Sequence, residues 1–258
     1  MPGSQSFAVV GAGIIGAAVA RELTRRHPDA AVTVFEKEGR AAAHQTGHNS
    51  GVVHAGLYYE PGGLKARLCR RGAGLIRELC EERGLPYEAC GKVVVALDAA
   101  EEGRLEGIFG RAVANGVPGV RMVGPQELAE IEPNAVGRRA LYSPETAIVD
   151  YARVTEALLE DVVAAGGAVR FGAEVLRVAD AGAAAEVETA GGLERFGAVV
   201  ACAGLQSDRV AGARARIRTP PSCRSSASTT SSIPPTATWW PASCTRFRTR
   251  GTRFSGST

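Results

Sequence analysis

From His44 to Pro61 the chain reads HQTGHNSGVVHAGLYYEP, a stretch holding three of the four histidines in a protein of 258 residues. Imidazole is the side chain whose ordinary pKa lies nearest neutrality, so His44, His48 and His54 are candidates for accepting a proton. His44 and His48 stand four apart, a spacing seen on metal-binding helices. Gly47 and Gly51 argue against a helix, and no nearby carboxylate or cysteine completes a metal site, so no metal is expected. Tyr58, Tyr59 and Lys65 offer hydroxyls and a charge suited to a dicarboxylate. Lys65, however, opens an amphipathic helical pattern, Gly63 to Arg83, and is expected to face solvent.

Such a loop does chemistry only if a scaffold holds it. Phe7 to Val10 is an apolar run leading into Gly11-Ala-Gly13-Ile-Ile-Gly16, followed by a helical pattern through Arg26. This is a G-x-G-x-x-G between strand and helix. Gly11 permits the tight turn, Gly13 lets a diphosphate approach the backbone, and Gly16 permits close helix–strand packing. The helix start, with Ile14 and Ile15, presents oriented amides and a positive dipole end to phosphates. A second apolar run, Ala31 to Phe35, ends in Glu36, twenty residues after Gly16 and followed by Lys37. An acid at that distance accepts ribose hydroxyls. Strand, triplet, helix, strand and acid all fall in the order that dinucleotide binding requires.

Later apolar runs, Ala168 to Phe171, Glu174 to Val178, Glu186 to Thr189 and Ala198 to Ala201, read as short strands. The last leads into Cys202-Ala203-Gly204, a small-residue turn where backbone can approach a ligand. One glycine triplet with a late returning strand suits a flavoenzyme better than an NAD dehydrogenase. Between these parts, Lys92 to Leu97 reads as a strand, Ala99 to Asn115 as a helix and Val123 to Pro133 as a short helix. Ala147 to Val149 then returns the chain to a helix starting near Asp150.

The Gly11 triplet, Glu36, the stretch HQTGHNSGVVHAGLYYEPGGLKA and the stretch AVVACAGLQSDRVA together resemble the FAD-dependent L-2-hydroxyglutarate oxidases and dehydrogenases, within the wider D-amino-acid-oxidase-like group. The resemblance covers residues 7 to about 211. It implies an α/β fold: a Rossmann-like FAD-binding domain, residues 1–86 and 149–212, with an inserted, incomplete α+β substrate domain, residues 87–148. It also implies that the histidine loop runs from Glu36 along the flavin, with His44, Gln45, Thr46, Asn49, Ser50 and Gly51 at the cofactor. Val175, Ala203 and Gly204 join the cofactor set. Oxidation of a 2-hydroxy acid moves a hydride to the flavin and a proton to a base; His54 is the first candidate for that base and His48 the second. A cofactor-contacting or loop-stabilising role is the alternative for each. Oxygen or a membrane quinone is the expected electron acceptor. A D-amino-acid- or glycerol-3-phosphate-type oxidoreductase and an inactive nucleotide-binding remnant are the competing readings.

Composition sets the outer limits. Hydrophobic residues make up 45% of the chain, enough for a packed core. The apolar stretch from Phe7 to Ala20 has no basic residue before it and regularly spaced glycines, so it is not expected to be a signal peptide. No apolar run reaches membrane-spanning length, and the expected location is the cytoplasm or the inner face of the cell membrane. Six cysteines without a C-x-x-C pair read as reduced thiols, with Cys69, Cys80, Cys90 and Cys202 as packing residues.

The net charge of +3 comes from one segment. Residues 213–258 carry eight arginines and no acid; without them 22 basic residues face 27 acidic ones. Nucleic acid is therefore not an expected partner. That segment has 18 serines and threonines and no hydrophobic periodicity. Shifting the frame of GC-leaning codons from Ser222 to Ser232 yields VPFLGEYYEL, which has the strand-like apolar run the printed segment lacks. The segment is thus expected to be a disordered, out-of-frame tail after a slip near Ala211 to Arg214, leaving a truncated enzyme with an incomplete core, weak FAD retention and little turnover.

Overall fold

The computed structural model describes residues 5–212; the expectations for the tail at 213–258 lie outside the described residues. The elements are, in order, β1 (Ser6–Val10), α1 (Ile14–Arg26), β2 (Ala31–Phe35), β3 (Val52–Val53), α2 (Leu64–Arg83), β4 (Tyr87–Glu88), β5 (Lys92–Ala96) and α3 (Ala99–Ala114). They continue with β6 (Arg121–Val123), α4 (Pro125–Ile131), β7 (Arg139–Ser143), β8 (Ala147–Val149), α5 (Tyr151–Ala164) and β9 (Ala168–Arg170). Last come β10 (Arg177–Asp180), β11 (Ala185–Thr189), β12 (Gly192–Phe196), β13 (Ala198–Ala201), a 3-10 turn (Gly204–Gln206) and α6 (Ser207–Gly212).

The chain forms two compact units. Among the described residues, the first takes 5–53, Gly74–Glu88 and 148–212; the second takes His54–Ala73 and Ala89–Ala147. Residues 54–73 therefore group with the second unit, whereas the boundaries drawn from sequence put them with the first. The packing explains it: Ala55 and Leu57 are buried in one apolar cluster with Leu105, Ile108 and Ala112 of α3.

In the first unit a parallel sheet has the order β13-β1-β2-β9. Its strands read as continuous apolar runs because both faces are covered. Ala8 and Phe35 meet Val187 and Phe196 of the antiparallel meander β10-β11-β12, with the two phenyl rings edge-on at 5.8 Å. Val9, Val32 and Val34 alternate to the other side and are buried as well. Helices α1 and α5 pack together and are tied by Arg21 to Asp161 at 2.5 Å. Asp150 starts α5 as anticipated, accepting the amides of Ala152 and Arg153.

One strand expectation is shifted, and β3, β4, β6, β7 and β12 were not anticipated. The run expected over Glu174 to Val178 becomes β10 only at Arg177. Ahead of it the chain is held by Ala173 N–H to the Glu36 carbonyl and Leu176 N–H to the Glu188 carbonyl, which carries it across the sheet end. The β12 sequence, GLERF, alternates weakly because Leu193 is exposed and Arg195 faces Glu186 across the strands at 2.8 Å.

The second unit is an antiparallel sheet, β5-β7-β6, covered by α3 and α4. Asp98 caps α3 by accepting the Glu101 amide, and the Glu101 carboxylate accepts the Leu97 amide in return. The helix expected over Val123 to Pro133 is confined to α4, because Val123 pairs with Ala140 as the end of β6. Gly124 then caps the helix and Pro125 occupies its first turn.

Candidate functional site

Val10 stands in register with Phe35 on one side and Ala201 on the other, so the turns after β1, β2 and β13 open onto one end of the sheet. Chain order reverses at β1, which is where open α/β sheets hold ligands. A cleft of about 790 Å³ lies there, within the usual size of small-molecule and cofactor sites.

Backbone constraints shape this cleft. Gly11 has φ +105°, and a Cβ on it would stand 2.5 Å from the Cys202 carbonyl oxygen. Gly16 lies outside the lining; a Cβ there would collide with the Gly11 carbonyl oxygen, so it seats α1 on the turn. Gly13 precedes α1 without a side-chain cap, and Ile14 and Ile15 line the cleft beside it. Thr46 reaches across to accept the Ile14 amide at 3.1 Å.

Glu36 is 8% exposed yet lines the cleft. Its Oε2 accepts the Ala12 amide at 2.8 Å and its Oε1 the Glu38 amide at 3.0 Å. Those two bonds aim the carboxylate and leave lone pairs for further donors. Next to it Lys37, Glu38 and His44 form a small polar cluster: His44 Nε2 is 2.9 Å from Glu38 Oε1 and 3.0 Å from Lys37 Nζ. Hydrogen bonding by Lys37, then by His44, holds the Glu38 carboxyl below its usual range. Gln45, Asn49, Val175, Ala203 and Gly204 complete the lining among the residues anticipated from sequence.

Other expected residues lie elsewhere. Ser50 and Gly51 do not line the cleft. Gly51 adopts φ +71° against β8, where a Cβ would meet the Val149 carbonyl oxygen at 2.7 Å. His48 is exposed, and its Nδ1 donates to the His44 carbonyl at 2.8 Å; it too is outside the lining. Sequence reasoning missed Glu38, Tyr151, Leu176, Cys202, Leu205 and Arg209, all of which border the cleft. Cys202 was recognisable as a packing residue and as the first of the small-residue turn after β13; burial pushes its thiol pKa up, so it offers a neutral, nearly apolar wall.

The lining suits a flavin dinucleotide. Ile15, Leu176 and Leu205 leave 64, 51 and 70% of their surface uncovered along the cleft, which a planar ring system would bury. Beside these apolar faces stand a glycine turn at a helix start and a buried acceptor carboxylate, matching diphosphate and ribose.

A family model for FAD dependent oxidoreductases matches residues 6–255. The chain belongs to this family. It is 41% identical over 219 residues to mitochondrial L-2-hydroxyglutarate dehydrogenase of Homo sapiens, across 80% of this chain and 47% of that protein. It is 40% identical over 203 residues to L-2-hydroxyglutarate dehydrogenase of Indibacter alkaliphilus, across 79% of this chain and 51% of that one. The chain thus spans about half the length of these relatives. Among solved structures, L-proline dehydrogenase from P. horikoshii superposes with a TM-score of 0.72 at 21% identity, over 82% of this chain and 56% of that chain; this likeness bears on the fold. The FAD-dependent oxidoreductase fold accords with the doubly covered sheet. Among the described residues no helix is long and apolar enough to cross a membrane.

His54 belongs to the second unit. It lines a small pocket of about 60 Å³ with Leu57, Tyr58, Tyr59, Lys92 and Thr146. His54 is an exposed residue on the rim of this pocket, so its desolvation is partial; that desolvation first, and the nearby Lys92 charge second, hold its pKa below the ordinary histidine value. Its own carbonyl accepts from the Cys69 thiol at 3.1 Å, which fixes the backbone behind the ring. Lys65 is exposed at the start of α2 and does not line this pocket.

Proposed function

We propose that this protein carries out the FAD-dependent oxidation of L-2-hydroxyglutarate, or a similar 2-hydroxy acid, to the 2-oxo acid. The observation that carries the reading is the buried, amide-aimed Glu36 beside the Gly11 turn, in a chain 41% identical to an L-2-hydroxyglutarate dehydrogenase. In this reading α1's first amides and the glycine backbone hold the diphosphate, while Glu36 accepts ribose hydroxyls. Thr46, Gln45 and Asn49 offer further polar contacts, and Val175, Leu176 and Leu205 cover apolar ring surface.

When bound, FAD supplies an acceptor for the hydride leaving the substrate's α-carbon. A ring nitrogen of His54 takes the hydroxyl proton as that bond becomes a carbonyl. Its lowered pKa favours the neutral imidazole, the form that can accept a proton. Oxygen or a membrane quinone then receives the electrons.

The test is anaerobic mixing of the FAD-loaded protein with L-2-hydroxyglutarate while following the visible flavin band. Bleaching with this substrate, and with neither a D-amino acid nor glycerol 3-phosphate, supports the reading. Bound flavin that stays oxidised with L-2-hydroxyglutarate but bleaches with one of the others replaces the substrate assignment.

A further inference from the structure

The small pocket of the second unit contains a cation that the proposed chemistry has not used. Lys92 opens β5, opposite Ser143 of β7. Its position is set by the preceding residue: Gly91 has φ +74°, and a Cβ there would run into the Tyr142 ring at 2.8 Å. The Gly91 amide also donates to the Thr146 carbonyl at 2.9 Å. Thr146 is itself buried and bonded to Ser143 at 3.1 Å. The facing wall is equally fixed. Asn115 donates to the carbonyls of Gly56 and Tyr59 at 3.1 and 2.8 Å, while Ala55 and Leu57 anchor the loop in the apolar core.

Between these walls the Lys92 ammonium lies 5.0 Å from the centre of the Tyr58 ring. It is half-buried, and among the described residues no carboxylate pairs with it. The other polar groups around His54 are the Tyr58 and Tyr59 hydroxyls, the Thr146 hydroxyl bonded to Ser143, the Cys69 thiol on the His54 carbonyl and the Arg70 guanidinium on the Ala55 carbonyl. None of them carries negative charge. A partly desolvated ammonium held on an aromatic face without a counter-ion attracts an anion.

We infer that Lys92, with Tyr58 and Tyr59, forms a carboxylate-binding subsite beside His54 and is a specificity-determining residue for a carboxylic acid substrate. A pocket of about 60 Å³ holds one such group, on the scale of roughly two water volumes. The choice of a carboxylate rests on the proposed 2-hydroxy acid reading; the site itself rests on the unpaired cation. Occupation has a second effect. A carboxylate on Lys92 neutralises the charge facing His54 and so makes the imidazole a stronger base when substrate is present.

The subsite is tested by an NMR titration of the His54 ring signals with glutarate, which lacks the hydroxyl and is not oxidised. The titration needs no flavin turnover, so its outcome is independent of the substrate reading. Saturable movement of the His54 signals in the wild type, affinity weakened about tenfold or more in Lys92→Met, and affinity largely kept in Lys92→Arg support the inference. The His54 pKa should also rise in Lys92→Met and should rise in the wild type when glutarate is added. Equal glutarate affinity in wild type and Lys92→Met, or binding that leaves the His54 signals still, overturns it. If glutarate titrates His54 through Lys92 while L-2-hydroxyglutarate leaves the flavin oxidised, the subsite stands and the substrate reading falls.

Discussion

The cleft of the first unit and the His54 pocket of the second are built from different materials. The cleft is made mainly of main chain: a glycine turn whose missing Cβ atoms admit neighbouring carbonyls, a helix start and a carboxylate held by two amides. The pocket is made of side chains, His54, Tyr58, Tyr59 and Lys92, standing on a loop fixed by Asn115 and a few apolar anchors. A site of the first kind distributes its grip over many groups. In the second kind one side chain carries one task, so its loss is not shared. Deletions should therefore be graded in the first unit and abrupt in the second.

His54→Ala is expected to give the largest effect, lowering the rate of flavin reduction by roughly 10²–10⁴-fold while leaving FAD affinity unchanged. Stopped-flow reduction and a flavin titration measure the two separately; a loss of FAD affinity of the same size would erase the contrast. The pH profile sharpens the same point. A base must be deprotonated, so the rate rises with pH through the His54 pKa and is flat above it. That pKa is depressed in the free protein, so the midpoint of the rise in kcat/KM, which reports the free protein, should lie below the ordinary histidine value near 6.5.

Within the cleft, Gly11→Val should cost more than any side-chain deletion, because φ +105° and the Cys202 carbonyl exclude a Cβ. A loss of FAD affinity of about a hundredfold is expected, with secondary structure retained by circular dichroism. Glu36→Ala removes the acceptor for two amides and, on the proposed reading, for ribose, and should weaken FAD by about tenfold to thirtyfold. Thr46→Val leaves the Ile14 amide without its partner, a change of about 1 kcal/mol or roughly fivefold in the same titration. Were Thr46→Val as damaging as Gly11→Val, the cleft would not be backbone-built.

The same difference decides what was visible in the sequence. Gly11, Gly13, Gly16 and Glu36 announce themselves because a main-chain site needs particular residues at fixed intervals along a strand–helix unit. β12 and the wall at Ala173 to Leu176 were hidden, the first behind a charged alternation and the second inside an apolar run that only tertiary hydrogen bonds keep out of a strand. Glu38, Leu205 and Arg209 reach the cleft through turns whose geometry no periodicity encodes. Lys92 was hidden for another reason. Nothing in KVVVA separates a solvated first residue of a strand from one that the Gly91 turn aims at His54, thirty-eight positions earlier in the chain.

The central claim, that the turn after β1 and the acid after β2 grip FAD, is tested most directly by hydrogen exchange of backbone amides with and without FAD. The account predicts saturable slowing at residues 11–16, 36–46, 173–176 and 203–206, with His54 to Tyr59 less affected. Saturable FAD binding that leaves the Gly11 to Gly16 amides and the Glu36 segment exchanging at their original rates would contradict it.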